Sequence, residues 1–113
     1  PCAPRIATRK VKWDTRYAAD RGLRLGPAEG LDDATRQKID RTTRRIYKRL
    51  GLSGYARVDF RLREDGELFF LEANPNPDLA ANAEMAEAAE AIGLGYEGLI
   101  AKILALGERS LER

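Results

Sequence analysis

Histidine is absent from this chain of 113 residues, and cysteine, methionine and tryptophan occur once each. Without histidine there is no Ser-His-Asp or Cys-His machinery, and no zinc site built from His and Cys. One cysteine, Cys2, allows no internal disulfide, so the cytoplasm is the expected compartment. Cys2 sits near the chain end and is not read as catalytic. No apolar run approaches the roughly 20 residues that span a bilayer, so no membrane partner is expected. The opening Pro1-Cys2-Ala3-Pro4-Arg5 has no basic-then-apolar signal region, and the only methionine is Met85. These features predict a chain cut from something longer. Chemistry is left to carboxylates, amides, Arg and Lys, and a hard metal ion.

Hydrophobic residues make up 43% and charged residues 34%, which suits a soluble domain or part of one. A net charge of +2 hides an asymmetry. Residues 1–50 carry 14 Lys and Arg against 6 Asp and Glu, and residues 51–113 carry 6 against 12. The aromatics are few and apolar-patterned, with no stacking platform, so the basic half reads as a solvated helix face and no nucleic acid is expected.

Residues 5–13 carry a weak strand pattern. The stretch 14–31, with Gly22, Gly26, Pro27 and Gly30, reads as a long connection. A helix is predicted over about 33–50, capped by Asp32 or Asp33 and closed by Gly51. Its apolar residues Ile39, Ile46, Tyr47 and Leu50 recur at helical spacing. The period then changes to two, giving a hairpin over about 56–73 with Asp65-Gly66 at its turn. Helices are predicted over about 83–92, with Met85, Ala89 and Ile92 on one face, and over about 96–107. The second carries a stripe of Tyr96, Leu99, Ile100, Ile103 and Leu104. Residues 108–113 read as a frayed tail. Phe60, Phe69, Phe70, Tyr96 and Ile100 are expected in the core.

A two-residue turn at Asp65-Gly66 fixes the register of the hairpin. It sets Phe60 opposite Leu71, Leu62 opposite Phe69 and Val58 opposite Ala73 on an apolar face. On the other face Asp59 meets Glu72 and Arg57 meets Asn74. Directly opposed like charges destabilise a sheet. A divalent cation between them reverses the sign of that interaction, and oxygen donors from Asp, Glu and an Asn amide suit Mg²⁺. The alternative is an ordinary surface pair whose repulsion Arg57 and Arg61 relieve. The run Glu72-Ala73-Asn74-Pro75-Asn76-Pro77, polar ligands leading into a rigid loop, favours the metal.

These residues resemble the ATP-grasp superfamily, and within it the D-alanine–D-alanine ligase branch. The resemblance rests on Gly54-Tyr55-Ala56-Arg57-Val58-Asp59-Phe60, Asp65-Gly66 and Glu72-Ala73-Asn74-Pro75-Asn76-Pro77. It extends to Gly93-Leu94-Gly95-Tyr96-Glu97-Gly98-Leu99-Ile100, and upstream to Trp13-Asp14-Thr15-Arg16-Tyr17 with Pro27-Ala28. It implies an α+β fold, the C-terminal ATP-grasp subdomain, mainly antiparallel sheet packed by helices. Residues 1–113 are then part of one ATP-grasp domain.

By that resemblance Asp59, Glu72 and Asn74 hold two Mg²⁺ ions, with Mn²⁺ as a substitute, and these bridge the phosphates of ATP. Arg57 lies beside the transferred phosphate or the oxyanion that follows it. Leu71 packs under the adenine, and Arg16 stands where these ligases carry a phosphate-facing lysine. The implied reaction activates a small carboxylate as an acyl phosphate, which an amine then attacks. After Pro77 the dipeptide ligases have glycine and then a serine that holds the acceptor's carboxylate. Here Asp78-Leu79-Ala80-Ala81-Asn82-Ala83 stands instead, which points away from D-alanine. The family's nucleotide-binding lysines and lid precede residue 1, so the chain alone is expected to be inactive, with the N-terminal part of the enzyme as its partner. The other reading is a non-catalytic module that keeps the fold as a binding or assembly surface. An uncovered interface predicts a homodimer or aggregate.

Overall fold

The computed structural model describes residues 26–112, so the expected strand over 5–13, Trp13 and Arg16 lie outside the described residues. The element order is α1 (Asp33–Arg49), β1 (Arg57–Leu62), β2 (Leu68–Asn74), α2 (Glu84–Ala91) and α3 (Gly95–Leu111). Among the described residues this is the α+β arrangement expected, with one antiparallel hairpin as the sheet. No helix among the described residues is long and apolar enough to cross a membrane.

Local chemistry accounts for the helix ends. Asp32 caps α1, its Oδ1 accepting from the Thr35 amide at 2.7 Å. That hydrogen bond favours the charged carboxylate and holds Asp32 below its ordinary value. At the other end Gly51, at φ 63°, lets the Leu52 amide reach the Tyr47 carbonyl at 3.0 Å and the Gly51 amide reach that of Lys48 at 3.2 Å. Gly93, at φ 76°, repeats the motif after α2, with Leu94 N–H donating to the Ala89 carbonyl at 2.9 Å. Glu90 then caps the next helix through the Tyr96 amide, at 3.1 Å.

The depressed Asp32 carboxyl makes a testable pH dependence. Its folded value lies below the unfolded one, about 3.9. Its contribution is therefore fully present above that pH and lost as the pH falls through the folded value. Asp32→Asn keeps a good cap but cannot titrate. Its helical circular dichroism is expected to show a flatter acid limb below about pH 4 than the wild type. Superimposable acid limbs would mean the cap contributes nothing.

The hairpin departs from the simple register at two places. Its turn is a three-residue loop, Glu64-Asp65-Gly66, because the Arg63 amide donates to the Glu67 carbonyl and the Gly66 amide to that of Arg63, each at 2.9 Å. Gly66, at φ 85°, is the left-handed residue such a loop requires. Arg63 reinforces it, its Nε donating to Asp65 at 2.9 Å and holding that carboxyl below its ordinary value. Phe60 consequently faces Phe70 rather than Leu71, and Leu62 faces Leu68 rather than Phe69. A bulge between Asp59 and Phe60 on one strand and Phe70 and Glu72 on the other leaves Leu71 as the extra residue. The bulge then restores Asp59 opposite Glu72 and Arg57 opposite Asn74.

The faces follow from this register. Val58, Phe60, Leu62, Leu68, Phe70 and Ala73 share one side, where the Phe60 and Phe70 rings meet edge-on with centroids 6.3 Å apart. Phe69 turns to the other side with Arg61, beneath the guanidinium of Arg63, 5.5 Å from the ring centroid.

Among the described residues the buried core is smaller than the sequence pattern suggests: Pro77, Ala83, Ala86, Ala89 and Leu99. It lies where α2 packs on α3. Ala86, not Ile92, completes the inward face of α2, and Ile92 is 77% exposed. On α3 the inward side runs through Tyr96, Leu99, Ile103 and Leu106, while Leu104 and Ile100 are exposed. That helix continues to Leu111, so residues 108–111 are helical rather than a frayed tail. Phe69 and Phe70, expected in the core, are 43% and 49% exposed.

A two-stranded hairpin is marginal alone and needs its apolar face covered. Purified alone, the chain is expected to dimerise or form larger species. A monodisperse monomer in multi-angle light scattering contradicts that expectation.

Candidate functional site

The bulge at Leu71 sets the two carboxylates in directly opposed positions, Asp59 on β1 and Glu72 on β2. One cation holds them together. The Arg57 guanidinium donates from Nε to Asp59 Oδ1 at 2.8 Å and from Nη2 to Asp59 Oδ2 at 3.1 Å, a bidentate fork along the strand. The same Nη2 reaches Glu72 Oε1 at 3.5 Å. On its far side Nη1 stands 3.7 Å from Oε2 of Glu84, in the first turn of α2. One guanidinium thus faces carboxylates from β1, β2 and α2. The Asp59 hydrogen bonds, together with the charges of Asp59, Glu84 and Glu72, raise Arg57 above its ordinary value against the cost of partial burial. Arg57 is permanently cationic here.

The residues after β2 are fixed by short-range hydrogen bonds. Asn74 Oδ1 accepts from the Asn76 amide at 2.9 Å, and Asn76 Oδ1 accepts from the Tyr55 hydroxyl at 2.9 Å. Pro77 is fully buried. Asp78 Oδ1 accepts from the Ala80 amide at 2.9 Å, and the Tyr96 hydroxyl donates to the Leu79 carbonyl at 2.8 Å. The loop from 75 to 82 is therefore pinned near its start to Tyr55 and at its middle to α3, and it leads into α2 with Glu84 facing the hairpin.

Arg57, Asp59, Glu72 and Asn74, predicted as site residues, come together on one face of the hairpin. Leu71 lies beside them as the exposed residue of the bulge. Arg16 lies outside the described residues. Glu84 is the member that sequence reasoning missed. Its only sequence signal is a pair of acids, Glu84 and Glu87, opening a helix after a proline loop, and that says nothing of where the helix packs.

The donor set suits a hard cation, with two carboxylates and an amide oxygen. Among the described residues no three carboxylates, histidines or cysteines converge at metal-binding spacing, so the amide of Asn74 is needed to complete such a set. Both oxygens of Asp59 accept from Arg57, and a cation binding there must displace at least one of those hydrogen bonds. The site is an open surface. A hollow between the end of α1, residues 52–55 and the last turns of α3 contains none of these carboxylates.

Comparison with known proteins places the chain in a lineage. Residues 5–105 match the family model of the D-ala D-ala ligase C-terminus. A D-alanine–D-alanine ligase of Nitratidesulfovibrio vulgaris is 37% identical over 95 residues, which is 84% of this chain and 31% of that protein. One from Cupriavidus taiwanensis is 33% identical over 103 residues, 89% of this chain and again 31% of the relative. The structure is similar to the crystal structure of D-alanine–D-alanine ligase from Bacillus anthracis complexed with ATP. The TM-score is 0.67 at 26% identity, covering 72% of this chain and 28% of that one. The chain therefore spans about a third of the length of the relatives it matches.

Proposed function

Because the chain belongs to the D-alanine–D-alanine ligase C-terminal family, we propose that it is the metal- and phosphate-binding part of an ATP-dependent carboxylate–amine ligase. The observation that carries this reading is the bulged register, which brings Asp59, Glu72 and Asn74 to one face with Arg57 among them. An irregularity in a short hairpin that restores a like-charge pair costs stability, and a cation recovers it.

In this reading Asp59, Glu72 and Asn74 hold Mg²⁺, two ions by the family pattern. The metal, when bound, neutralises phosphate charge. Arg57 directs its N–H groups at the transferred phosphate and at the oxyanion that follows. Arg16 supplies a further positive charge to the phosphates, and the exposed Leu71 offers apolar surface to the adenine. No residue need titrate, because acyl-phosphate formation from a carboxylate and ATP depends on positioning and charge neutralisation. A chain without histidine is suited to that chemistry. The N-terminal part of such a ligase supplies the other wall of the nucleotide site. Asp78, spent on its own turn with Ala80, offers a carboxylate acceptor nothing, which favours an acceptor other than D-alanine.

Paramagnetic Mn²⁺ tests the metal assignment directly. Added in substoichiometric amounts, it is expected to broaden the amide signals of Asp59, Glu72 and Asn74 before those of Glu97 or Glu108 on α3. Uniform broadening over all acidic residues would reduce the site to ordinary surface charge.

A further inference from the structure

The ion pairs of Arg57 with Asp59 and Glu72, and of Arg63 with Asp65 and Glu67, stay within the hairpin, whereas that of Arg57 with Glu84 joins β1 to α2. All three guanidinium nitrogens are engaged, and they divide by edge. Nε and Nη2 serve Asp59 and Glu72, while Nη1 faces Glu84. Two of the three carboxylates are the proposed metal ligands; the third is not. When Asp59 and Glu72 turn to a cation, Arg57 loses the partners of its Nε–Nη2 edge, and a long cationic side chain left so would sample many rotamers. Among the described residues, Glu84 is the carboxylate that stays in place to restrain it.

We propose that Glu84 is the positioning residue of this site. It tethers Arg57 through Nη1, so that the Nε–Nη2 edge, once released by Asp59 and Glu72, is presented to the phosphate rather than lost to solvent. The inference rests on the metal reading above. It also gives the 75–82 loop a function. The buried Pro77, the Asp78 turn and the Tyr96 hydroxyl fix the start of α2, and so the distance from Glu84 to the hairpin. A shorter acid there should tether less well and a neutral isostere hardly at all.

The test follows the Arg57 Nε–Hε resonance by ¹⁵N NMR in the full chain, with Mg²⁺ alone as the probe. In the absence of metal, wild type and Glu84→Gln are expected to show the same restrained signal, because Asp59 still holds Nε. At saturating Mg²⁺ the wild-type signal shifts and stays sharp, whereas in Glu84→Gln it exchanges with water and is lost. Glu84→Asp is expected to retain part of it. Calorimetry with Mg²⁺-ATP is expected to show binding weaker by about three- to fivefold in Glu84→Gln, the scale of one exposed ion pair. A Glu84→Gln signal that stays as sharp as the wild type's under Mg²⁺ overturns the tether and leaves the metal site standing. A wild-type Arg57 signal indifferent to Mg²⁺ overturns the metal reading and the tether with it.

Discussion

An Asp59→Asn/Glu72→Gln chain is expected to lose Mn²⁺ or Mg²⁺ affinity by more than about 100-fold, since even outer partners of metal ligands cost 10–100-fold when removed. The amides keep the size of both side chains and remove the two charges that face each other across the strands. Arg57 retains Glu84, so it is not stranded. Helical circular dichroism should be unchanged, because α1, α2 and α3 take their caps from elsewhere. Loss of affinity with intact helices separates a metal site from a fold defect. Isothermal calorimetry with the metal alone reads the first, and a far-ultraviolet spectrum the second. Unchanged metal affinity would leave the pair as an ordinary surface feature neutralised by Arg57.

Replacing Arg57 by Gln is expected to act in opposite directions on binding and on chemistry. Both oxygens of Asp59 now accept from the guanidinium, so its removal frees them, and affinity for the bare metal should hold or rise. Chemistry should fall. In the proposed ligase, assembled with an N-terminal part, the proposed role of Arg57 as a charged donor to the transferred phosphate predicts turnover lower by about 10²–10³ on its loss, as for other oxyanion donors. The same substitution leaves Asp59, Glu72 and Glu84 without their shared cation. At these exposures the cost in stability is of order 1 kcal/mol at most, and added salt should reduce it. Metal affinity and single-turnover rate, measured on one preparation, check both signs. A fall in metal affinity equal to that of the carboxylate variant would show that Arg57 builds the site instead of competing for it.

How much of this was readable beforehand depends on the range of the interactions. Both ends of α1 and the C-terminal end of α2 follow from neighbours in sequence, Asp32 on Thr35, Gly51 and Gly93 in left-handed conformations, and those of α1 were legible. The register at the site was also read correctly, but with two irregularities that cancel. Counting from a two-residue turn reproduces the pairing of Asp59 with Glu72 only because the three-residue loop shifts the strands one way and the bulge at Leu71 shifts them back. Between those points the pairing of Phe60 and Leu62 was misread, and with it the faces of Phe69 and Phe70. Alternation alone does not reveal a bulge in a run as apolar as Leu68-Phe69-Phe70-Leu71.

Glu84 was not legible, since its approach to Arg57 depends on the path of the 75–82 loop, which no periodicity encodes. The core was overestimated for a related reason. Ile92, Leu104, Phe69 and Phe70 look like core by pattern, yet the surfaces that would cover them are not among the described elements. The small residues Ala83, Ala86 and Ala89, which do pack, carry little hydrophobic signal of their own.

In the proposed function this face of the hairpin binds metal and nucleotide phosphate together. A calorimetric titration of Mg²⁺-ATP into the wild-type chain and into Asp59→Asn/Glu72→Gln tests it most directly. Weak, saturable binding by the wild type that disappears in the variant is the predicted result. Equal heats from both, or none from either, would contradict it and leave a chain of ligase ancestry with no nucleotide site of its own.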